Sequence, residues 1–163
     1  MSNSIEVGEI RTEEIEQAIE LIISSVVQLA SSHYSKSQIE AWVSQYPPPE
    51  VFATWRARRK MLVARKSEKL VGFGQIQFDR KEIVGVHVAP AVARCGIGTM
   101  LVDSLENEAV TADLTEIVVQ ASMNAVDFYE ACGYRPVREI GFEFSNGVKS
   151  NALYMEKQLS STN

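Results

Sequence analysis

The chain contains few of the residues that crosslink a protein or bind metal ions. Of its 163 residues, two are cysteines, Cys95 and Cys132, and two are histidines, His33 and His87. Two cysteines cannot form a disulfide framework, and neither belongs to a Cys-x-x-Cys pair. No spacing typical of a structural zinc site is visible. We therefore expect reduced thiols and no metal.

Long apolar runs and an excess of basic charge are also missing. The longest apolar stretch, Leu21–Ala30, is interrupted by serine and glutamine and is too short to span a bilayer. Residues 1–11 contain no apolar core typical of a signal peptide. The formal net charge of −5 repels phosphate backbones. We expect a cytoplasmic protein that binds neither membranes nor nucleic acids.

The composition is that of a soluble globular protein, with 45% apolar and 23% charged residues. The length suits one domain with a sizeable core. We find no repeat and no low-complexity linker, and Pro47–Pro49 marks only a connection between elements. We predict a single domain over residues 1–163.

Hydrophobic periodicity predicts alternating strands and helices. A first helix is expected to begin with Thr12 as its N-cap, and a second at Ser35, which forms a capping-box pattern with Gln38. Further helices are predicted over 50–59, 96–109 and 124–131. Predicted strands cover 5–11, 61–65, 70–78, 82–88, 116–121, 136–144 and 151–158. This mixed order predicts an α/β fold (α+β mixed sheet) with helices on both faces of a central sheet.

The most informative segment runs from Val88-Ala89-Pro90 to Gly96-Ile97-Gly98-Thr99. A strand leads through a glycine-bearing turn into a helix, whose first N–H groups are unsatisfied and suit a pyrophosphate. Alone, Gly-x-Gly fits a tight turn equally well. A P-loop needs Gly-Lys-Ser/Thr, and a Rossmann fingerprint needs a third glycine, which Leu101 replaces.

Together with a second segment, this one resembles the GNAT acyltransferases. Ala93–Gly98 is similar to their motif A, and Asn124-Ala125-Val126-Asp127-Phe128-Tyr129, continuing to Gly133-Tyr134, is similar to their motif B. The resemblance covers Met61–Leu159. Ser32–Trp42 is similar to the YafP-like proteins within that family. Ala93 departs from the usual polar residue of motif A, and Cys95 replaces a common Arg or Lys.

The resemblance implies acetyl transfer from acetyl-CoA, as co-substrate, to a primary amine by direct attack through a tetrahedral intermediate. It implies Tyr129 as the general acid, since a phenol stays protonated at neutral pH; the alternative is a packing tyrosine. Asn124 is either a helix N-cap or a contact to the donor. The residues implied in donor binding are Val86, Val88, Arg94, Cys95, Gly96, Ile97, Gly98, Thr99, Asn124 and Phe128.

A base must take a proton from the amine, whose pKa is about 10.4 for an alkyl amine. Glu82 opens the strand where some family members carry a glutamate base, and it is our first candidate; a surface Glu is the alternative. His87 is the second candidate. Strand alternation places the two on opposite faces unless a bulge intervenes, and a bulge here is typical of the family.

The acceptor is expected to be a small-molecule amine or a peptide amine. His33, Tyr34 and Trp42 either line its site or pack between the first two helices. The basic run Arg56–Lys60 is interpreted as a solvated helix face. Homodimerisation, common in the family, stays open. Two other functions compete with the enzyme: a non-catalytic acyl-CoA-binding or regulatory module on the same fold, and an unrelated nucleotide-binding protein.

Overall fold

A seven-stranded mixed sheet organises the computed structural model, which describes residues 4–160. Residues 1–3 and 161–163, the two ends of the predicted domain, lie outside the described residues. Residues 1–3 also belong to the segment 1–11 that was considered for a signal peptide. The strands are β1 Ile5–Glu9, β2 Arg59–Lys66, β3 Lys69–Gln77, β4 Glu82–Val88, β5 Glu116–Ala121, β6 Arg135–Glu143 and β7 Lys149–Gln158. The helices are α1 Ile15–Leu29, α2 Lys36–Val43, α3 Pro49–Thr54, α4 Ile97–Thr111 and α5 Val126–Ala131.

The strand order is β1-β2-β3-β4-β5-β7-β6, and β4–β5 is the parallel pair. Helices cover both faces of this sheet, which confirms the predicted fold class. One core lies under α4 and α5 and includes Leu101 and Leu105; the other lies under α1, α2 and α3 and includes Ile22 and Phe52. Small residues bring α4 close to β3, because a Cβ on Gly72 would lie 2.8 Å from Leu101 Cδ1.

The predicted capping box of α2 is confirmed. The backbone N–H of Gln38 donates to Ser35 Oγ at 3.2 Å, and the N–H of Ser35 donates to Gln38 Oε1 at 2.8 Å. Two groups that the helix itself cannot satisfy are thereby paired.

The prediction for the start of α1 is wrong. Thr12 is not an N-cap but the first residue of a 3₁₀ turn, Thr12–Glu14, that leads into the helix. The carboxylate of Glu14 accepts from the Arg11 N–H at 2.8 Å and also forms a buried ion pair with Arg65. A partner 51 residues away cannot be read from the local pattern.

The basic run after α3 is not one solvated helix face, which corrects that interpretation. Helix α3 ends at Thr54, a 3₁₀ turn covers Trp55–Ala57, and Arg59 is already the first residue of β2. The predicted helix over 124–131 is likewise divided into a 3₁₀ turn, Met123–Ala125, and α5.

Strand β4 carries one residue more than β3 at its bulge. Gln75 pairs with Gly85 and Ile76 with Ile83, so Val84 has no partner in β3. Pairing between β4 and β5 is confined to Glu82 with Val118 and Ile83 with Val119. Beyond Ile83 the two strands diverge, and we call the space between them the β4–β5 gap.

No helix in the described part of the chain is long and apolar enough to cross a membrane.

Candidate active site

The N-terminus of α4 lies beside the end of β4, because a Cβ on Gly98 would lie 3.7 Å from Val88 Cγ2. Gly96 adopts the left-handed conformation, with φ 84°, and the first helical bond runs from Met100 N–H to Gly96 O at 3.1 Å. The N–H groups of Ile97, Gly98 and Thr99 therefore lack partners within the helix. A Cβ on Gly96 would meet no atom within 4 Å, so this end of the helix is open to an anionic ligand. Arg94 and Cys95 are exposed beside it.

Gly98 brings the two predicted motifs into contact. A Cβ at this position would lie 2.9 Å from Phe128 Cε1, so the glycine allows the ring of α5 to pack on the first turn of α4. The Phe128 ring in turn packs edge-on against Tyr129, with centroids 5.0 Å apart. A larger residue at Gly98 would displace Phe128 as well as shield the helix N–H groups.

Asn124 holds a buried oxygen without a partner. It does not cap a helix, since Ser122 precedes the 3₁₀ turn and Ala125 precedes α5. Its Oδ1 atom accepts no hydrogen bond from any described residue. An unmet buried acceptor costs about 1–3 kcal/mol. Of the two interpretations left open above, the geometry favours a ligand N–H donor over a capping role.

Tyr129 is buried, with 4% of its surface exposed, between the rings of Phe128 and Tyr134. Within the described chain its hydroxyl takes part in no hydrogen bond, whereas Tyr134 donates to Glu106 Oε2 at 2.8 Å. Burial raises the pKa of Tyr129, so its proton is retained at neutral pH. The side chain is therefore a protonated donor without an internal acceptor.

Glu82 and His87 lie on the same face of the sheet. Their cross-strand partners in β3 are Gln77 and Phe73, which are separated by an even number of positions, so the bulge at Val84 reverses the alternation. The two side chains were expected on opposite faces unless a bulge intervened, and this bulge places them on the same face. Both candidate bases face α1 and α2, away from α4.

The environments of the two candidate bases differ. Burial raises the pKa of the Glu82 carboxyl above its ordinary value, against the opposing charges of Arg80 and Arg59. Burial lowers the pKa of His87 to about 4. His87 is therefore neutral at pH 7 but a weak base, whereas Glu82 is strengthened as a base.

A cavity of about 270 Å³ adjoins Glu82 on this face. Tyr34 and Trp42 form part of its wall, with ring centroids 5.7 Å apart. The Tyr34 hydroxyl is fixed, because it donates to Asn151 O at 2.7 Å and accepts from the Met123 N–H at 2.8 Å. His33 is exposed, pairs with Ser32 Oγ, and is not among the lining residues.

Sequence reasoning did not identify the opposite wall of this cavity. It comes from the ends of the final hairpin and of β5, and its residues are Gln120, Ser122, Phe142, Phe144, Ser150, Asn151 and Ala152. The available signal was the aromatic pair Phe142 and Phe144, two positions apart at the end of the predicted strand 136–144, which predicts two side chains on one face.

The candidate site therefore has two sides. The α4 N-terminus, Asn124 and Tyr129 belong to one side, and Glu82 with its cavity belongs to the other. The β4–β5 gap lies between them. Among residues 4–160 there is no group of three His, Cys, Asp or Glu side chains that could hold a metal ion.

These features define an α/β protein whose central mixed sheet has helices on both faces and a gap between its two parallel strands. Residues 30–158 match the family model for the acetyltransferase (GNAT) domain. The chain therefore belongs to the GNAT family and is an acetyl-CoA-dependent acyltransferase.

Individual relatives agree with this assignment. The uncharacterized N-acetyltransferase YafP of Escherichia coli K12 is 27% identical over 140 residues, which cover 84% of this chain and 85% of that protein. A GCN5-related N-acetyltransferase structure from Rhodopseudomonas palustris, also described as a class-II aminotransferase, superposes with a TM-score of 0.90 at 27% identity, covering 98% of this chain and 99% of that one. PaiA N-acetyltransferase from Thermoplasma acidophilum, in complex with coenzyme A, gives a TM-score of 0.79 at 19% identity over 95% and 99% of the two chains.

Proposed function

We propose that this protein transfers the acetyl group of acetyl-CoA to a primary amine that enters the cavity beside Glu82. The observation that carries the proposal is the β4–β5 gap, which lies between a helix terminus open to an anion and a cavity that contains a carboxylate. Two substrates that enter from opposite faces can meet there without competing for space.

The residues on the α4 side fit acetyl-CoA. The unpaired N–H groups of Ile97, Gly98 and Thr99 suit its pyrophosphate, and Asn124 Oδ1 suits an amide N–H of its pantetheine arm. Beyond Ile83, β4 has an edge unpaired with β5, which can accept an extended chain as a strand accepts a peptide; Val86 and Val88 lie there. PaiA, a protein of the same fold, was crystallised with coenzyme A.

Two side chains handle protons in the proposed reaction. When acetyl-CoA is bound, its thioester offers a carbonyl that an unprotonated amine attacks, forming the C–N bond and breaking the C–S bond. Glu82 accepts the proton that the amine loses. Tyr129 donates its hydroxyl proton to the departing sulfur. Because burial disfavours the phenolate, the proton stays on Tyr129 until negative charge develops on the sulfur in the transition state.

The proposal is tested by turnover of acetyl-CoA with a panel of primary amines, comparing the wild-type protein with Tyr129→Phe. We expect a fall in kcat of about 10²–10⁴-fold, the typical contribution of general acid catalysis, with acetyl-CoA affinity nearly unchanged. Circular dichroism checks that the variant is folded.

Two other outcomes would contradict the proposal. A protein that binds acetyl-CoA but acetylates no amine in the panel is a binding or regulatory module. A Tyr129→Phe enzyme with unchanged kcat and weakened acetyl-CoA binding would show that the tyrosine packs against the donor.

A further inference from the structure

Arg59 is a half-buried cation without an acidic partner. It begins β2, and within residues 4–160 it forms no ion pair with Asp or Glu. Its guanidinium lies over the Trp55 ring, 4.8 Å from the centroid. Partial burial lowers the pKa of this arginine, so the charge is held at a desolvation cost that no carboxylate in contact offsets.

The side chain of Arg59 is fixed in place by neutral groups. Its Nε atom donates to Gln77 Oε1 at 3.1 Å, and Nη1 donates to Gln75 Oε1 at 3.3 Å. Both glutamines are buried, with 7% and 4% of their surfaces exposed. A guanidinium has five N–H donors, so the remaining three have no partner among the described residues. None of its nitrogen atoms is both buried and unpaired, and the free donors therefore face accessible space.

That space is a cleft of about 380 Å³ with basic walls. Its lining includes Arg58, Arg59 and Arg80 together with Trp55 and Gln77, and it contains no Asp or Glu. A planar guanidinium with free donors, stacked on an aromatic ring, matches the geometry of a carboxylate.

This basic cleft is adjacent to the amine cavity. Gln77, which anchors Arg59, pairs directly across the strands with Glu82. Directly opposite residues have Cβ atoms about 4.5–5.5 Å apart. The electrostatic influence of Arg59 on the Glu82 carboxyl is consistent with this proximity.

We infer that Arg59 binds a carboxylate carried by the acceptor, so that the acceptor is an amino acid-like zwitterion whose amine lies at Glu82 and whose carboxylate lies in the cleft of Arg58, Arg59 and Arg80. This inference rests on the proposed function and names its substrate class. Arg59 is a specificity-determining residue, and it takes no part in the acetyl transfer itself.

The test compares ω-amino acids of increasing chain length with n-alkylamines of the same carbon number, at saturating acetyl-CoA. For wild type we expect one chain length at which the ω-amino acid has a kcat/KM at least about tenfold above that of its alkylamine, as a charge-assisted bidentate pair would give. Arg59→Gln should remove this preference by raising KM for the amino acid, with kcat nearly unchanged. Arg59→Lys should restore it partly.

Arg56→Gln is the matched control. It removes the same charge three residues earlier, but the Arg56 side chain bonds to Ala53 O and Thr12 Oγ1 and does not line the cleft. It should keep the preference, and thermal melts should show all variants folded.

Equal kcat/KM for amino acids and alkylamines at every length, or equal losses in Arg59→Gln and Arg56→Gln, would overturn the inference while leaving the proposed function intact. If no amine is acetylated, the proposed function fails, and calorimetric binding of the same pairs decides this inference. Tighter binding of the amino acid that is lost in Arg59→Gln supports it, and equal binding overturns it.

Discussion

The carboxylate of Glu82 lies in a strand that carries one residue more than its neighbour. In a regular strand, five positions apart, Glu82 and His87 would lie on opposite faces; because Val84 is a bulge residue, both lie on the face of α1 and α2, and of the two only Glu82 lines the cavity. The choice between them therefore depends on access to the cavity and on basicity, and both favour Glu82. Burial acts in opposite directions on the two, raising the pKa of Glu82 and lowering that of His87 to about 4.

We predict that Glu82→Gln lowers kcat near neutral pH and that alkaline pH partly restores it, because more of the amine is then unprotonated in solution. The base acts in its ionised form, so wild-type activity should rise with pH through a pKa above 4.5, the ordinary value for Glu. A pH–rate profile of both proteins measures this. His87→Gln is the control, and an inflexion near pH 4 that disappears in that variant would assign the base to His87 instead.

At the scale of elements, the turn before α4 and the first turn of the helix use two glycines for different reasons. Gly98 is a packing residue, because its Cβ would overlap Phe128, whereas Gly96 combines a positive φ with open space. A substitution at Gly98 disturbs the fold and the donor site together. Gly96 is the position where the donor site can be tested by itself.

We predict that Gly96→Ala weakens acetyl-CoA binding at least about tenfold, because a methyl group over the helix N-terminus keeps the phosphates from its N–H groups. The left-handed conformation adds a stability cost of about 1–2 kcal/mol for a residue with a Cβ. Calorimetric titration and urea denaturation measure the two effects.

Gly147→Ala is the control that separates the loss of acetyl-CoA binding from the loss of stability in Gly96→Ala. Gly147 has the same φ of 84° and the same open surroundings, but it lies in the β6–β7 turn. The control should share the loss of stability and retain normal binding. Equal binding losses in both variants would contradict the placement of the pyrophosphate.

Sequence patterns predicted the elements better than the contacts between them. The bounds of β4 and β5 agree with the structure, and α4 begins one residue after its predicted start, because periodicity and glycine punctuation are local signals. The bulge at Val84 depends on pairing with β3, and the position of Arg59 depends on Gln75 and Gln77, so neither was visible locally. The role of Glu14 was missed for the same reason.

At the scale of the whole molecule, the pair Glu14–Arg65 ties the start of α1 to β2. The Arg65 hydrogen bonds hold the pKa of the Glu14 carboxyl below its ordinary value, against the opposing effect of burial. A depressed folded-state pKa means that the pair contributes stability above the unfolded pKa of about 4.5 and that this contribution is lost as pH falls through the folded value.

We predict that Glu14→Gln lowers the free energy of unfolding at pH 7 by about 3 kcal/mol, because the buried Arg65 loses its counter-charge. The difference between wild type and variant should narrow as pH falls below about 4.5, the ordinary value at which an unpaired Glu titrates. Urea denaturation across this range measures both effects. Glu68→Gln, which removes an exposed pair with Arg11 at 3.7 Å, should cost less than about 1 kcal/mol at any pH. A difference in the free energy of unfolding between wild type and Glu14→Gln that does not change with pH would contradict the role assigned to this ion pair.

The β4–β5 gap also affects how this sequence can change over time. The α4 side and the α2 side are separated by the sheet, in which β4 and β5 pair at only two residue positions, so a substitution in the wall formed by Tyr34, Trp42 and Phe142 makes no contact with the turn at Gly96. On the proposed function, selection for a different amine can therefore act on the half of the molecule that contains the cavity while the half assigned to the acyl donor stays unchanged. A lineage built on this architecture can replace its acceptor by point mutations without first losing its chemistry.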